Sequence, residues 1–197
     1  PFPPTRRGGG VFTSMKTKPA GIGLLSGGLD SALACLVTRD AGAEVRCIHF
    51  FTGFCVTGHN SRVGRTDRPI ANHALQVAAE MGVPLDLVDI SEEYLPMVLE
   101  PKHGYGRNMN PCIDCRIFML QKTSQIMADE NAGFVITGEV LGQRPMSQRR
   151  FTIDFIEKES GLESLIVRPL SAKHFSPSKP EVEGILDRRK LLNISGR

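Results

Sequence analysis

The sequence has no uninterrupted apolar stretch of about 18 residues, so we expect no transmembrane helix. Its first residues lack the succession of charged, apolar and small residues that marks a secretory signal peptide. Cysteine is scarce: five residues, an odd number, in a chain of 197 argue against a secreted disulfide scaffold and favour a reducing cytoplasm. Hydrophobic residues at 41% and charged residues at 23% exclude a wholly disordered chain.

Charge is unevenly distributed although the net charge is only +3. Residues 1–20 carry four basic and no acidic side chains, and residues 144–197 carry eleven basic and seven acidic ones. Residues 21–143 carry nine basic and fourteen acidic side chains. Basic ends favour a polyanionic partner, and a solvated surface is the alternative interpretation.

The order of segments predicts one α/β domain. Residues 1–20, rich in Pro and Gly, are expected to form a disordered basic extension, and residues 176–197 a basic tail. Between them, strands are predicted at 21–25, 44–51, 85–90, 133–137 and 164–170, and helices at 30–41, 69–81, 94–99, 110–131 and 146–159. This alternation predicts a Rossmann-like three-layer α/β/α sandwich with a five-stranded parallel sheet, whose ligands bind beyond the carboxyl ends of the strands.

A glycine-containing loop, Ser-Gly-Gly-Leu-Asp-Ser at 26–31, separates the first strand from the first helix. Its backbone N–H groups and the helix N-terminus suit an anion, and the hydroxyls of Ser26 and Ser31 add donors. Asp30 is unusual in a phosphate site unless it serves Mg²⁺. No Lys follows the glycines, which excludes a Walker A loop. The alternative is an ordinary strand–helix turn capped by Asp30.

The 26–31 loop resembles the motif of the PP-loop ATP pyrophosphatase superfamily, whose members adenylate a substrate oxygen and release pyrophosphate. The resemblance implies an adenine nucleotide alpha hydrolase-like fold that binds ATP and Mg²⁺. It also implies a later cation that neutralises the phosphates, for which Lys173 is the candidate. The residues implied to hold the nucleotide are Ser26, Gly27, Gly28, Asp30 and Ser31 at the phosphates and His49, Phe50 and Phe51 at the adenine.

Two cysteines, Cys112 and Cys115, stand at a predicted helix start that follows Asn110-Pro111. The helix dipole stabilises thiolates there, which favours sulfur chemistry or metal binding. A thioredoxin-type redox pair is disfavoured by the preceding strand and loop. Cys35 and Cys47 lie in apolar segments and are expected in the core.

The segment from Gly106 to Cys112 and the Thr137-Gly138 pair are similar to tRNA 2-thiouridylases, although Glu139-Val140 stands where those enzymes have His-Tyr. The strings NMNPCIDCRIFML, TGEVLGQRPMSQRR and RPLSAK resemble stand-alone PP-loop proteins often labelled a predicted subunit of tRNA (5-methylaminomethyl-2-thiouridylate) methyltransferase. No methionine-cofactor loop follows a strand, so the sequence predicts no methyltransferase.

Cys55, after the second strand, is the third cysteine expected at the same sheet edge. Three cysteines at one sheet edge resemble the arrangement in thiolation enzymes that carry a 4Fe–4S cluster. The resemblance implies that Cys55, Cys112 and Cys115 hold such a cluster. A persulfide route through the same thiols stays open, as does zinc with His59 or His103 as the fourth ligand. Arg144, Arg149 and Arg150 are the candidates for binding RNA or ATP phosphates.

The predicted function is ATP-dependent tRNA uridine thiolation, with catalytic roles for Asp30, Cys55, Cys112 and Cys115, and with Gly138 at the nucleotide. The partners implied are tRNA and a sulfide or persulfide donor, with no membrane and with a homodimer as one oligomeric state. The alternatives are a PP-loop synthetase or sulfur-handling enzyme for a small molecule, or a non-catalytic nucleotide- or cluster-binding subunit.

Overall fold

The computed structural model describes residues 20–53, 73–106 and 109–196. Two 3₁₀ turns, Ala172–His174 and Arg188–Lys190, add to the strands and helices of this part of the chain. Its strands are β1 (Gly21–Leu24), β2 (Val45–Phe51), β3 (Leu85–Asp89), β4 (Phe134–Ile136) and β5 (Ile166–Val167). Its helices are α1 (Leu29–Asp40), α2 (His73–Met81), α3 (Ser91–Leu99), α4 (Cys112–Glu130), α5 (Arg150–Glu159) and α6 (Lys179–Val182).

The five strands form one sheet in the order β3-β2-β1-β4-β5, and every neighbouring pair is parallel. The predicted α/β fold with a five-stranded parallel sheet is therefore confirmed. From β1 the chain proceeds outward through β2 to β3, then returns to pair β4 with the other side of β1. The strand order reverses between β1 and β4, and in open parallel sheets this reversal leaves a crevice beyond the strand ends.

Helices cover both faces of the sheet because successive strand residues point to opposite sides. On one face, Cys47 and Ile136 pack with α1, α2 and the C-terminal Leu191. On the other face, Ile48 and Val135 pack with α3, α4 and α5. Cys35 and Cys47 are both buried in the first of these cores, where their sulfurs lie 3.6 Å apart, as expected from their apolar segments.

Some element boundaries differ from the predicted ones. Pro111, expected inside the first turn of α4 after an Asn110 cap, instead occupies the cap position itself. Helix α5 begins at Arg150 rather than near Met146, because a hydrogen bond from Gly142 N to Gln148 O closes a turn before it. Strand β5 is shorter than predicted, since Ser164 has a positive φ of 62° and Pro169 has no N–H for the ladder.

Helix α3 begins at Ser91, three residues before the predicted short helix. The Asp89 carboxylate accepts hydrogen bonds from Ser91 N at 2.9 Å and from Ser91 Oγ at 2.6 Å, which anchors this earlier start. The predicted helix at 69–81 is described from His73 onward, and residues 69–72 lie outside the described part of the chain. No helix in the described ranges combines the length and the apolar character needed to cross a bilayer.

The C-terminal residues 176–196, predicted as a basic tail, pack onto the domain. Leu186 and Leu191 are almost fully buried in the core that contains α1 and α2. Gly196 N donates to Leu141 O at 2.6 Å, which ties the last described residues to the segment after β4. The basic side chains of this region are therefore carried by a folded segment. The predicted extension at 1–20 lies outside the described residues except for Ala20.

We expect Leu191→Ala to lower the free energy of unfolding by about 2–5 kcal/mol, because it leaves a cavity at a position with no solvent exposure. Urea unfolding followed by circular dichroism measures the change. Val182→Ala, at a 75% exposed position in the same segment, is the matched control and should leave the unfolding midpoint nearly unchanged. Equal midpoints for both variants would mean that this segment does not contribute to the core.

Candidate functional site

A cleft of about 670 Å³ opens beyond the carboxyl ends of β1, β2 and β4. Three chemically distinct groups line it: the loop at 26–31, the end of β2, and the first turn of α4 with its two cysteines. The segment after β4 closes the fourth side. The strand-order reversal thus places the unusual sequence segments around one space.

The loop at 26–31 holds its shape through its own hydroxyl groups. Ser31 Oγ donates to Gly28 O at 2.8 Å and lies 3.1 Å from Ser26 Oγ. Gly27 has a φ of 83°, a left-handed conformation that favours glycine. Gly28 forms the N-cap of α1 without a side-chain cap. The first-turn amide groups therefore remain available to an anionic ligand.

Gly138, the second residue after β4, packs closely against this loop. A methyl group at position 138 would lie 2.6 Å from Ser31 N and 2.7 Å from the Asp30 carbonyl carbon. Only glycine fits there without moving the loop. Gly138 thus fixes the distance between the 26–31 loop and the segment that follows β4.

Asp30 lies in the first turn of α1 and is half-buried at the cleft. Gln143 Nε2, from the segment after β4, donates to Asp30 Oδ2 at 3.1 Å. This contact orients the carboxylate and leaves its other lone pairs available to a cation or a water.

The predicted adenine-binding residues divide into two groups. His49 and Phe50 line the cleft and are each 7% exposed, whereas Phe51 is 39% exposed and does not belong to the cleft lining. His49 Nδ1 lies 2.8 Å from Leu25 O, and since a carbonyl only accepts, Nδ1 is the donor. His49 thereby links the ends of β1 and β2 at the cleft floor.

Cys112 and Cys115 both line the cleft and are both half-buried. Tyr94, on α3, donates from its hydroxyl to Cys115 Sγ at 3.0 Å. The sulfur of Cys115 therefore accepts a hydrogen bond at the cleft, and both cysteines lie in the first turn of α4. Cys55, the third predicted catalytic and metal-binding cysteine, lies outside the described residues.

His103, one candidate for a zinc ligand, is held by Asp114. Its Nδ1 lies 2.8 Å from Asp114 Oδ1, and its ring packs edge-on against Phe155. Within residues 20–53, 73–106 and 109–196, no three His, Cys, Asp or Glu side chains are grouped so that they could hold a metal ion. The second candidate, His59, lies outside those ranges.

Glu139 forms the centre of a buried charge network at the cleft. It is 3% exposed, and its two carboxylate oxygens accept from Arg116 Nε at 2.9 Å and from Arg168 Nε at 3.0 Å. Arg168 also binds Glu157 at 2.7 Å, and Thr137 Oγ1 lies 3.1 Å from Glu139. Burial alone would raise the pKa of Glu139, but the two guanidinium groups outweigh it and lower that pKa to about 2.

The predicted phosphate- and RNA-binding cations are separated in space. Arg144 lines the cleft. Lys173 is exposed, does not line the cleft, and lies with its Nζ 3.4 Å from Arg189 O. Arg149 is exposed at the N-cap of α5. Arg150 binds Asp154 at 3.1 Å, stacks on Phe175, and faces a different cavity of about 250 Å³.

Sequence reasoning missed Arg116 and Gln143 as residues of the site, whereas Arg168, the first residue of the string RPLSAK, was expected to bring a cation to this sheet edge. Arg116 follows Cys115 directly, so its place one residue past a cysteine pair at a helix start was a usable signal. The contacts of Gln143 with Asp30 and of Arg168 with Glu139 carry no local signal, because the partners are distant in sequence. Only the folded sheet brings these pairs together.

Comparison with known proteins gives a family match over most of the chain. The model of the family described as thiamine biosynthesis protein (ThiI) matches residues 16–182. The tRNA-specific 2-thiouridylase MnmA of Dehalococcoides mccartyi is 29% identical over 119 residues, which cover 58% of this chain and 32% of that protein. The chain thus spans about a third of the length of this curated relative.

Two solved structures are also similar. A 4-thiouridine synthetase, solved in complex with RNA and with bound ATP, has a TM-score of 0.54 and 24% identity, covering 85% of this chain and 40% of that chain. This likeness supports the fold described above. A predicted subunit of tRNA methyltransferase from Methanocaldococcus jannaschii has a TM-score of 0.49 and 16% identity, covering 89% of this chain and 92% of that chain.

The low pKa of Glu139 predicts an acid-sensitive contribution to stability. The folded pKa of about 2 lies below the ordinary value of 4.5, so the contribution is complete above pH 4.5 and is lost as the pH falls towards 2. The lost stability amounts to about 3 kcal/mol. We expect the difference in unfolding free energy between the wild type and Glu139→Gln to narrow over this range.

Urea unfolding at stepped pH values measures this difference, and a carbon-13 NMR titration of the wild-type Glu139 carboxyl measures its pKa directly. Glu163→Gln is the control for general acid effects, since Glu163 is exposed and takes part in no ion pair among the described residues. A Glu139 midpoint near 4.5 would contradict the proposed electrostatic stabilisation.

Proposed function

Because the chain belongs to the family described as thiamine biosynthesis protein (ThiI), we propose that it is an ATP-dependent tRNA sulfurtransferase that replaces a uridine carbonyl oxygen with sulfur. The predicted relationship to PP-loop and tRNA thiouridylase proteins is confirmed by this match and by the thiouridylase relatives. The activity itself, its substrate and its partners are proposals for this chain.

One observation carries the proposal: a single cleft joins an anion-binding loop to a pair of cysteines. The 26–31 loop presents backbone N–H groups, and Cys112 and Cys115 present sulfur to the same space of about 670 Å³. A nucleotide-dependent ligase that joined an amine to a carboxylate would need the first element and not the second. Thiolation needs both, because ATP activates the oxygen and sulfur then displaces it.

In the first step, the uridine carbonyl oxygen attacks the α-phosphorus of ATP, and the bond to the pyrophosphate breaks. Backbone N–H groups of the 26–31 loop stabilise the charge that develops on the departing pyrophosphate. Asp30, one of whose carboxylate oxygens accepts a hydrogen bond from Gln143, would hold a Mg²⁺ ion together with phosphates and water. When bound, that ion would neutralise phosphate charge. His49 and Phe50 offer a largely buried surface for the adenine.

In the second step, sulfur attacks the activated carbon and AMP leaves with the bonding electrons of the former carbonyl oxygen. With sulfide as the donor, no oxidation state changes. With a persulfide on one cysteine, the second cysteine attacks the sulfur–sulfur link, and the resulting disulfide is reduced by a dithiol before the next turnover. Cys112 and Cys115 both line the cleft, and this placement suits either donor.

A 4Fe–4S cluster on Cys55, Cys112 and Cys115 remains part of the proposal. Two of these three ligands line the cleft, and the third lies outside the described residues. If present, a cluster held by these three thiolates would supply an iron without a protein ligand, which suits the binding of a sulfur donor. The persulfide route uses the same cysteines and is the alternative.

For tRNA, we propose contacts with Arg144 at the cleft and with Arg149 at the start of α5. Arg150 is the weaker candidate, because Asp154 and the carbonyl of His174 already bind its guanidinium. Phosphate contacts of this kind position the nucleic acid without reading its sequence.

A small-molecule sulfur acceptor is the second candidate function. The family description itself refers to thiamine biosynthesis, and the chain spans only a third of the length of a thiouridylase relative. Exchange of labelled pyrophosphate into ATP distinguishes the two candidates. Exchange that requires tRNA supports uridine adenylation, and exchange that ignores tRNA supports the small molecule.

We predict that Asp30→Asn lowers tRNA-dependent AMP formation by about 100-fold, because it removes the negative charge at the phosphate loop while still offering an oxygen to Gln143. Asp129→Asn is the matched control, since Asp129 lies exposed near the end of α4, away from the cleft lining. Thermal melting checks that both variants fold. Wild-type rates in Asp30→Asn would contradict the assignment of the 26–31 loop.

We also predict that the cysteine variants separate the two steps. Cys112→Ser and Cys115→Ser should lose at least 100-fold in thiouridine formation yet keep pyrophosphate exchange, since adenylation precedes sulfur transfer. Cys47→Ala, at a buried position outside the cleft lining, is the control.

Anaerobic purification with iron and sulfide analysis tests the cluster. Cys55→Ser, Cys112→Ser and Cys115→Ser should each lose iron, whereas Cys47→Ala should retain it. Full thiolation by iron-free protein would refute the cluster and leave the persulfide route. Full thiolation by the Cys112 and Cys115 variants would refute both routes.

A further inference from the structure

Arg116 enters the cleft from α4, one residue after Cys115. Its Nε donates to Glu139, while its two terminal amino groups have no hydrogen-bonding or charged partner among the described residues. The side chain is 23% exposed, and it lines the cleft together with Cys112 and Cys115. A guanidinium whose Nε is bound and whose two terminal nitrogens can both donate has the geometry that binds a phosphate in a bidentate manner.

The position of Arg116 relative to the loop at 26–31 follows from Glu139. Gly138 packs against the Asp30–Ser31 peptide, and Glu139 is the next residue along the chain. Because Arg116 binds the Glu139 carboxylate at 2.9 Å, its guanidinium connects the helix that carries the cysteines with the segment that packs on this loop. A phosphate that links the nucleotide to an activated oxygen would occupy this intermediate position.

Glu139 fixes the guanidinium in that position. Its second oxygen accepts from Arg168, which is itself held by Glu157, so the carboxylate cannot turn without breaking another buried ion pair. Among the other predicted cations, Arg144 lies on an exposed part of the cleft rim and Lys173 does not line the cleft.

We propose that Arg116 binds a phosphate oxygen of the adenylyl group, and that Glu139 is the positioning residue that presents it. This inference rests on the proposed function and names the group that the cleft recognises between the 26–31 loop and the cysteines. When sulfur attacks, the carbon–oxygen bond breaks and its electron pair departs on AMP. The negative charge grows on the phosphate beside Arg116, where a fixed cation stabilises it.

The test compares the binding of AMP with the binding of adenosine, because only AMP carries the phosphate. In isothermal titration, Arg116→Gln should weaken AMP binding by about 10- to 100-fold, the range expected for a lost charge-assisted contact, and leave adenosine binding unchanged. Arg116→Lys should recover part of the AMP affinity, since it keeps the charge and loses the fork. Arg46→Gln, which breaks surface ion pairs of β2, is the control.

The variant Glu139→Asp tests the positioning role of Glu139, because it keeps the charge and shortens the side chain. This variant should weaken AMP binding without changing adenosine binding, and its kcat for thiolation should fall more than its KM for tRNA rises. If it fails to fold, Arg116→Gln and Arg116→Lys still decide the proposal.

Two results would overturn the proposal: wild-type AMP affinity in Arg116→Gln, or an equal loss of AMP and adenosine affinity, which would indicate general damage to the cleft. These results are distinct from a failure of the proposed function. If the wild type binds neither AMP nor ATP, the proposed function and this inference both fail. If the wild type binds them and Arg116→Gln behaves identically, only the inference fails.

Discussion

The ion pair between Arg116 and Glu139 determines how the two halves of the cleft meet. Arg116 belongs to the helix that carries the cysteines, and Glu139 belongs to the segment that packs on the 26–31 loop. Glu139 also pairs with Arg168, so replacing Arg116 leaves the buried carboxylate compensated, whereas replacing Glu139 removes a partner from both arginines. The spacing between the 26–31 loop and the cysteines therefore depends chiefly on the Glu139 carboxylate.

The fold was largely predictable because its signals are local and repeat along the chain. Apolar runs near 21–25, 44–51 and 85–90 each end in polar or glycine-containing segments, and helices follow, so the parallel α/β arrangement follows from the alternation. Boundaries were less predictable where a single backbone conformation decides them, as with the positive φ of Ser164. The packing of 176–196 was missed because its apolar residues are few and irregularly spaced, while its charges are conspicuous.

At the candidate site, sequence patterns indicated the segments but not their pairings. The 26–31 loop and the Cys112–Cys115 pair were recognisable because each concentrates its chemistry in a few consecutive residues. The contact between Gln143 and Asp30 joins residues far apart in sequence, and so does the contact between Arg168 and Glu139. Lys173 shows that a position after a strand does not guarantee a place at the cleft. The chain turns after β5, and the Lys173 side chain points towards Arg189 instead.

The hydrogen bond between Gly196 and Leu141 connects the last described residues to the segment that lines the cleft after β4. Leu141 lies two residues before Gln143, which orients Asp30, and a methyl group at position 196 would lie 2.5 Å from Gln143 N. A change of conformation near residue 196 would therefore reach Asp30 through these two hydrogen bonds. For protein engineering, a bulky substitution or a label at residue 196 would disturb the segment that orients Asp30, so labels belong elsewhere on the surface.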